Sequence, residues 1–233
     1  MSLSMKNKIE VTMGLIMIMV IAAIASHAAD YASASAFPEK SAYVVVIDAG
    51  HGGMDPGKVG VNNQLEKDIN LAVAMKLKEY LEQNGIKVIM TRDEDEGLYD
   101  SGSKNKKRDD MNKRCELIEE SGADLVVSIH QNSYHEEYVC GPQVFYYKNS
   151  QEGKKLAELL QKRFDFVVGD RNTRQAKPND NYYLLLHTSC PIVIVESGFL
   201  SNWEEAELLS TEEYQEKVAW TIHMGILQYL NLE

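Results

Sequence analysis

Asp124-Leu125-Val126-Val127-Ser128-Ile129-His130, DLVVSIH, is a run of strand-forming residues that ends on a histidine. Two other runs end in a similar way. Tyr43–Ile47, YVVVI, leads into Asp48-Ala49-Gly50-His51-Gly52-Gly53, and Ile192–Val195, IVIV, leads into Glu196-Ser197-Gly198. All three are apolar continuously rather than alternately, as expected of strands whose two faces are both covered by helices. Helical patterns lie between the extended runs. Leu65, Ile69, Ala72, Val73, Leu77 and Leu81 mark one face of a helix that stops near Gly85. Ile86–Met90 is a further strand, followed by an acidic loop through Asp93–Asp100. A helix is expected around Met111–Glu120, a strand at Val144–Tyr147 and a helix over Gly153–Val167. The polar stretch Asp170–Asn181 reads as a loop. Ser201-Asn202-Trp203-Glu204 has the S-x-x-E form of a capping box and opens a helical region that runs to the end. Strands alternating with helices predict an α/β fold: one domain, with a mostly parallel central sheet covered by helices on both faces.

In such a sheet all strands present their carboxyl ends at one edge, where ligands bind. His51, His130 and Glu196 are therefore expected on the same crest, on strands that could be neighbours. The glycines beside His51 and Glu196 let backbone bend closely around a site. Two neutral imidazoles on rigid strand ends suit zinc, which in a catalytic site takes three protein ligands and a water. The third ligand should be a carboxylate or another histidine. Glu66 opens the helix after the His51 loop and so lies at the same edge. The expected ligand set is His51, Glu66 and His130, with Glu196 left as an acid/base. Each residue has a plainer reading: a lone histidine is more often a structural hydrogen-bonder, and the helix dipole alone explains Glu66. Their conjunction argues for a metal site. Of the other histidines, His187 precedes the Glu196 strand and is a candidate substrate contact, as is Asn132, two residues past His130. His27, His135 and His223 fall in the N-terminal segment, a polar loop and the last helix.

Residues 1–36 read differently from the rest. Lys6 and Lys8 precede an apolar run from Val11 to Ala25, followed by small residues with A-x-A character. These are the marks of an export signal. The run is short of the ~20 apolar residues of a spanning helix, so it is expected to be a signal peptide or signal-anchor with a short linker. Residues 37–233 are long enough for one domain with a sizeable core. The chain carries a net charge of −11, which repels nucleic acid and anionic polymers. The one basic exception, Lys104-Asn105-Lys106-Lys107-Arg108, reads as a solvated loop. Three scattered cysteines, Cys115, Cys140 and Cys190, form neither a disulfide framework nor a C-x-x-C metal pattern.

At these residues the sequence resembles the zinc-dependent N-acetylmuramoyl-L-alanine amidases of bacterial cell walls. The matching blocks, in the family's order, are IDAGHGGMDPGKVG, NQLEKDINL, VIMTRDED, ADLVVSIHQN and TSCPIVIVESGFLSN, spanning Ile47 to Asn202. The resemblance implies that His51, Glu66 and His130 hold zinc and that Glu196 is the catalytic carboxylate. It also implies hydrolysis of the amide joining the lactyl group of N-acetylmuramic acid to L-alanine in peptidoglycan. Asp48-Ala49-Gly50 stands where the family has D-P-G, Ile118-Glu119 where an Ala-Asn pair is common, Gln131 where a small residue is usual and His187 where a basic residue is frequent. With no repeated wall-binding modules, the chain is most similar to the germination-specific subgroup that trims the spore cortex. Export then implies the cell wall or the spore intermembrane space, with membrane contact only through the N-terminal segment if it stays uncleaved. A protein partner for localisation or activation is also expected. Two rivals remain on the residues alone: a non-catalytic peptidoglycan-binding or regulatory module of the same fold, and a zinc peptidase cutting within the stem peptide.

Overall fold

The computed structural model describes residues 13–25, 43–168 and 172–232. The chain divides into two compact units, Met1–Lys40 and Ser41–Glu233. In the first, residues 13–25 form a helix whose apolar side chains are exposed. No helix among the described residues is long and apolar enough to cross a membrane. The small-residue string after His27, where an export signal would end, lies outside the described residues.

The second unit holds a six-stranded sheet. Its elements, in chain order, are β1 (Val44–Ala49), α1 (Glu66–Gln83), β2 (Lys87–Met90), α2 (Lys106–Ser121), β3 (Leu125–Asn132), β4 (Gln143–Tyr147), α3 (Gln151–Val168), β5 (Lys177–Asn179), α4 (Tyr183–His187), β6 (Ile192–Phe199), α5 (Trp203–Leu209) and α6 (Glu212–Leu230). The strands run in the order β2-β1-β3-β6-β4-β5. The β2–β1, β1–β3, β3–β6 and β4–β5 pairs are parallel, whereas β4 runs antiparallel to β6. The strand that leads into His51 and the strands that carry His130 and Glu196 are thus adjacent; β3 and β6 run past the expected ends, to Asn132 and Phe199, and His130 is paired in register with Glu196.

The pleat sorts side chains between two cores. Val45, Ile47 and Ala49 of β1, Leu125, Val127 and Ile129 of β3, and Val193 and Val195 of β6 pack with α1, α3 and α6. Val46, Val126, Ile192 and Ile194 point the other way, onto Ile118 of α2 and Leu184 and Leu185 of α4. Period-two alternation carries Asp48, Ser128, His130 and Glu196 onto that second, more thinly covered face. The site therefore lies on the face covered by α2 and α4, and the larger core stiffens the sheet from behind.

Four readings from sequence change. The basic run 104–108 is not wholly loop: Asn105 caps α2 by accepting from the Arg108 N–H at 3.2 Å, and Lys106–Arg108 form its first turn. The polar stretch after residue 171 contains β5, which pairs Lys177–Asn179 with β4. The cap of α5 is Asn202 rather than Ser201; its Oδ1 accepts from the Glu205 N–H at 3.0 Å. Ser201 instead accepts from the Tyr134 N–H. The C-terminal helical region breaks after Leu209 and restarts as α6 behind a Thr211 cap. At the three helix starts a short Asn or Thr side chain satisfies an orphan N–H and overrides the coarser pattern, whereas β5 forms by pairing with β4. Replacing Asn202 with Ala should lower stability by about 1 kcal/mol, measured as a lower urea midpoint at unchanged m-value.

Candidate metal centre

The β1 strand ends at Ala49, and the chain then turns so tightly that His51 adopts φ +62°, the left-handed region that non-glycine residues seldom occupy. A network of buried charge holds it there. Arg114 of α2, 1% exposed, places Nη1 2.6 Å from Asp48 Oδ1 and 2.9 Å from the Ala49 carbonyl, and donates from Nη2 to the His51 carbonyl at 2.6 Å. Arg92, just past β2, donates to the carbonyls of Ala49 and Gly50 at 2.9 and 3.1 Å. Asp48 also accepts from Thr91 at 2.8 Å and Ser128 at 2.5 Å. Burial alone would raise the Asp48 carboxyl; the Arg114 charge and the Ser128 hydroxyl hold it down at about 2. Gly50 is required for a second reason: a Cβ there would stand 2.3 Å from the His130 ring.

The three predicted ligands come together. His51 Nε2 lies 3.1 Å and His130 Nδ1 3.0 Å from the same oxygen, Oε1 of Glu66. The two rings meet edge to face, with centroids 4.9 Å apart, and one donor atom from each residue can be chosen so that all three lie within 4.8 Å of one another. Glu66 is buried at the start of α1, where it also accepts from the Lys58 N–H at 2.8 Å and the Gln131 N–H at 3.1 Å. Burial works against its charge, yet the two imidazoles carry its carboxyl far below the usual range. Donors about 2.0–2.2 Å from a tetrahedral zinc stand about 3.4 Å from one another, so the spacing and the N/N/O chemistry fit that ion.

Glu196 lies next to this group on β6. It is 6% exposed. Its Oε1 accepts from the Tyr182 hydroxyl at 3.2 Å, while Oε2 is buried without a hydrogen-bond partner. Burial pushes its carboxyl above the ordinary value. A buried carboxylate oxygen with no partner is costly and needs a reason.

A cavity of about 430 Å³ opens over these groups, lined by the triad, Glu196, Asn132 and Tyr182, with Lys58 and Lys107 at its margin. A cavity of similar size, about 450 Å³, lies elsewhere, among Cys140, Glu205, Leu208, Tyr214 and Lys217. None of the triad lines it, so the chemistry belongs to the former. Asn132 thus stands on the cleft wall. His187 does not line the cleft: it is exposed at the end of α4, stacked on Tyr183 at 3.9 Å, with Nδ1 2.8 Å from the Tyr183 carbonyl. Sequence reasoning missed Tyr182, hidden in the polar stretch before α4, and the Arg92–Asp48–Arg114 network. The charged residues following YVVVI and VIM were the available signal for that network. Replacing Arg114 with Met strips Asp48 of its counter-charge, and should cost about 3–5 kcal/mol. Because the Asp48 carboxyl is depressed in the fold, its contribution is present above pH 4 and lost as pH falls towards 2. Urea titrations at several pH values should show that acid loss in the wild type and a smaller one in the variant.

Residues 45–228 match the family described as N-acetylmuramoyl-L-alanine amidase. A germination-specific N-acetylmuramoyl-L-alanine amidase of Bacillus subtilis is 40% identical over 192 residues, 81% of this chain and 80% of that protein. Among solved structures, the CwlD amidase of Clostridioides difficile, in complex with the GerS lipoprotein, is 41% identical. It has a TM-score of 0.79, covering 82% of this chain and 100% of that one. The catalytic domain of CwlV, an N-acetylmuramoyl-L-alanine amidase from Bacillus (Paenibacillus) polymyxa var. colistinus, is 34% identical with a TM-score of 0.70, covering 82% and 99%.

Proposed function

The chain belongs to the N-acetylmuramoyl-L-alanine amidase family and is an amidase of peptidoglycan, and we propose that it works with zinc held by His51, Glu66 and His130 and serves the spore cortex. The observation that carries the zinc reading is the meeting of two imidazole nitrogens at one buried carboxylate oxygen, 3.1 and 3.0 Å away. The germination-specific relative supports the cortex role. The N-terminal pattern supports export, to the cell wall or the spore intermembrane space. A structural relative that forms a complex with a lipoprotein supports a protein partner for this chain as well. This acidic chain, with its −11 charge, lacks the charge attraction that would hold it to an anionic wall unaided.

His51, Glu66 and His130 would hold zinc, which when bound would supply Lewis-acid polarisation of the scissile carbonyl and would lower the pKa of water from 15.7 towards about 7. The remaining work falls to the protein. Glu196 takes the proton of the attacking water at Oε2 and returns it to the nitrogen of L-alanine as the amide bond breaks. Its raised carboxyl makes it a stronger base than an exposed glutamate. Tyr182 holds Oε1, so exchange falls to the partnerless oxygen. Asn132, on the cleft wall, is the nearer of the two proposed substrate contacts. His187, outside the cleft, would meet only a more distant part of the substrate. A complete triad beside an orphaned carboxylate favours an enzyme over a binding module, and product chemistry separates an amidase from a peptidase.

The full chain, supplied with zinc, should release from isolated peptidoglycan peptides that begin at L-alanine, read by mass spectrometry. Glu196→Gln should keep its zinc and lose roughly 10²–10⁴-fold in turnover; full activity with zinc retained would sink the role of Glu196. His130→Ala should lose zinc, and unchanged metal content would remove it from the ligand set. Spores lacking the chain should fail to complete germination, whereas normal germination would refute the cortex role.

A further inference from the structure

We propose that Asp55 is the positioning residue that orients His51 towards the metal, with Lys107 paired to the same carboxylate oxygen that faces His51. The proposal rests on the zinc reading above. A neutral imidazole has one N–H and one lone pair, and only the lone pair can bind a metal. His51 points Nε2 at Glu66, 3.1 Å away, and Nδ1 at Asp55 Oδ2, 3.2 Å away. Donation from Nδ1–H to Asp55 leaves the lone pair on Nε2, facing the centre.

Asp55 is itself held firmly. Its Oδ1 accepts from the Gly57 N–H at 3.1 Å, and its backbone exchanges two hydrogen bonds with Gly52, at 3.0 and 3.1 Å. Lys107 Nζ reaches Oδ2 at 3.2 Å. Lys107 belongs to the first turn of α2, the helix whose Arg114 grips the His51 carbonyl. One helix thus secures His51 at its backbone directly and at its ring through Asp55. That gives the basic run 104–108 a task beyond solvation. The second imidazole is different: among the described residues no hydrogen bond reaches Nε2 of His130. Asp55 is therefore the carboxylate that stands behind a metal-facing ring, an arrangement that fixes the tautomer and raises ligand basicity. Loss of such a partner typically costs 10–100-fold in metal affinity.

The plainer alternative makes Asp55 a turn residue, through its bond to Gly57. Asparagine keeps that bond but not the charge, so Asp55→Asn separates the two roles. Zinc dissociation constants of the full chain would be measured by chelator competition for the wild type, Asp55→Asn, Asp55→Ala and His51→Ala, with thermal midpoints of the metal-free proteins alongside. The expected result is 10–100-fold weaker binding for Asp55→Ala and an intermediate loss for Asp55→Asn, without a fall in the midpoint of Asp55→Asn. Wild-type affinity in Asp55→Asn or Asp55→Ala while His51→Ala loses zinc overturns the proposal alone, as does an affinity loss in Asp55→Asn that merely follows a lowered midpoint. Zinc retained by His51→Ala overturns the ligand reading and this proposal with it.

Discussion

The buried ion pair between Asp48 and Arg114 is the constraint on which the geometry of the cleft depends. Both side chains are almost wholly withdrawn from water, a placement that two well-packed apolar residues could match for stability alone. What apolar residues could not do is bind carbonyl oxygens. Arg114 also donates to the carbonyls of Ala49 and His51 and, through Nε, to the Asp110 carboxylate, and Arg92 completes the cradle at Gly50. The pair thereby turns desolvation cost into a fixed backbone path for the residues that carry His51.

The site divides its parts between rigid and tethered elements. His130 and Glu196 stand in register on adjacent strands, where sheet hydrogen bonding leaves them little freedom. Glu66 is fixed by two backbone N–H groups, one from the loop at Lys58 and one from β3 at Gln131. His51 alone sits in an irregular segment, and it is there that buried arginines and positive-φ geometry concentrate. Rigidity that β3 and β6 obtain from their ladder is replaced around His51 by side-chain hydrogen bonds to main-chain oxygens.

Much of this was legible beforehand because it rests on local pattern. Continuous apolar runs, the break at Gly50, and the polar residues that follow each run required only period and turn chemistry. That is why β1, β3 and β6 and the His51–Glu66–His130 grouping could be anticipated. Contacts that depend on tertiary direction were not legible. Nothing in NDNYYLLLH tells that Tyr182 turns towards Glu196 whereas Tyr183 stacks on His187, since the two differ only in which side of a short helix start they occupy. Arg92 and Arg114 read as ordinary charges until the fold brings the carbonyls of Ala49, Gly50 and His51 within their reach. The α5 cap moved by one residue because Ser201 was already engaged by the Tyr134 N–H, a contact 67 positions away.

The far edge of the sheet carries one further consequence. β5 is three residues long, contains Pro178 and begins with an exposed Lys177. A proline cannot donate to a ladder, and a lysine on an edge resists close approach of another strand. This border is therefore a poor template for strand addition by a second molecule. The brevity, proline and lysine of β5 thus guard this end of the sheet against fibre-like self-association, because β5, the edge strand, is the one whose backbone groups face outward.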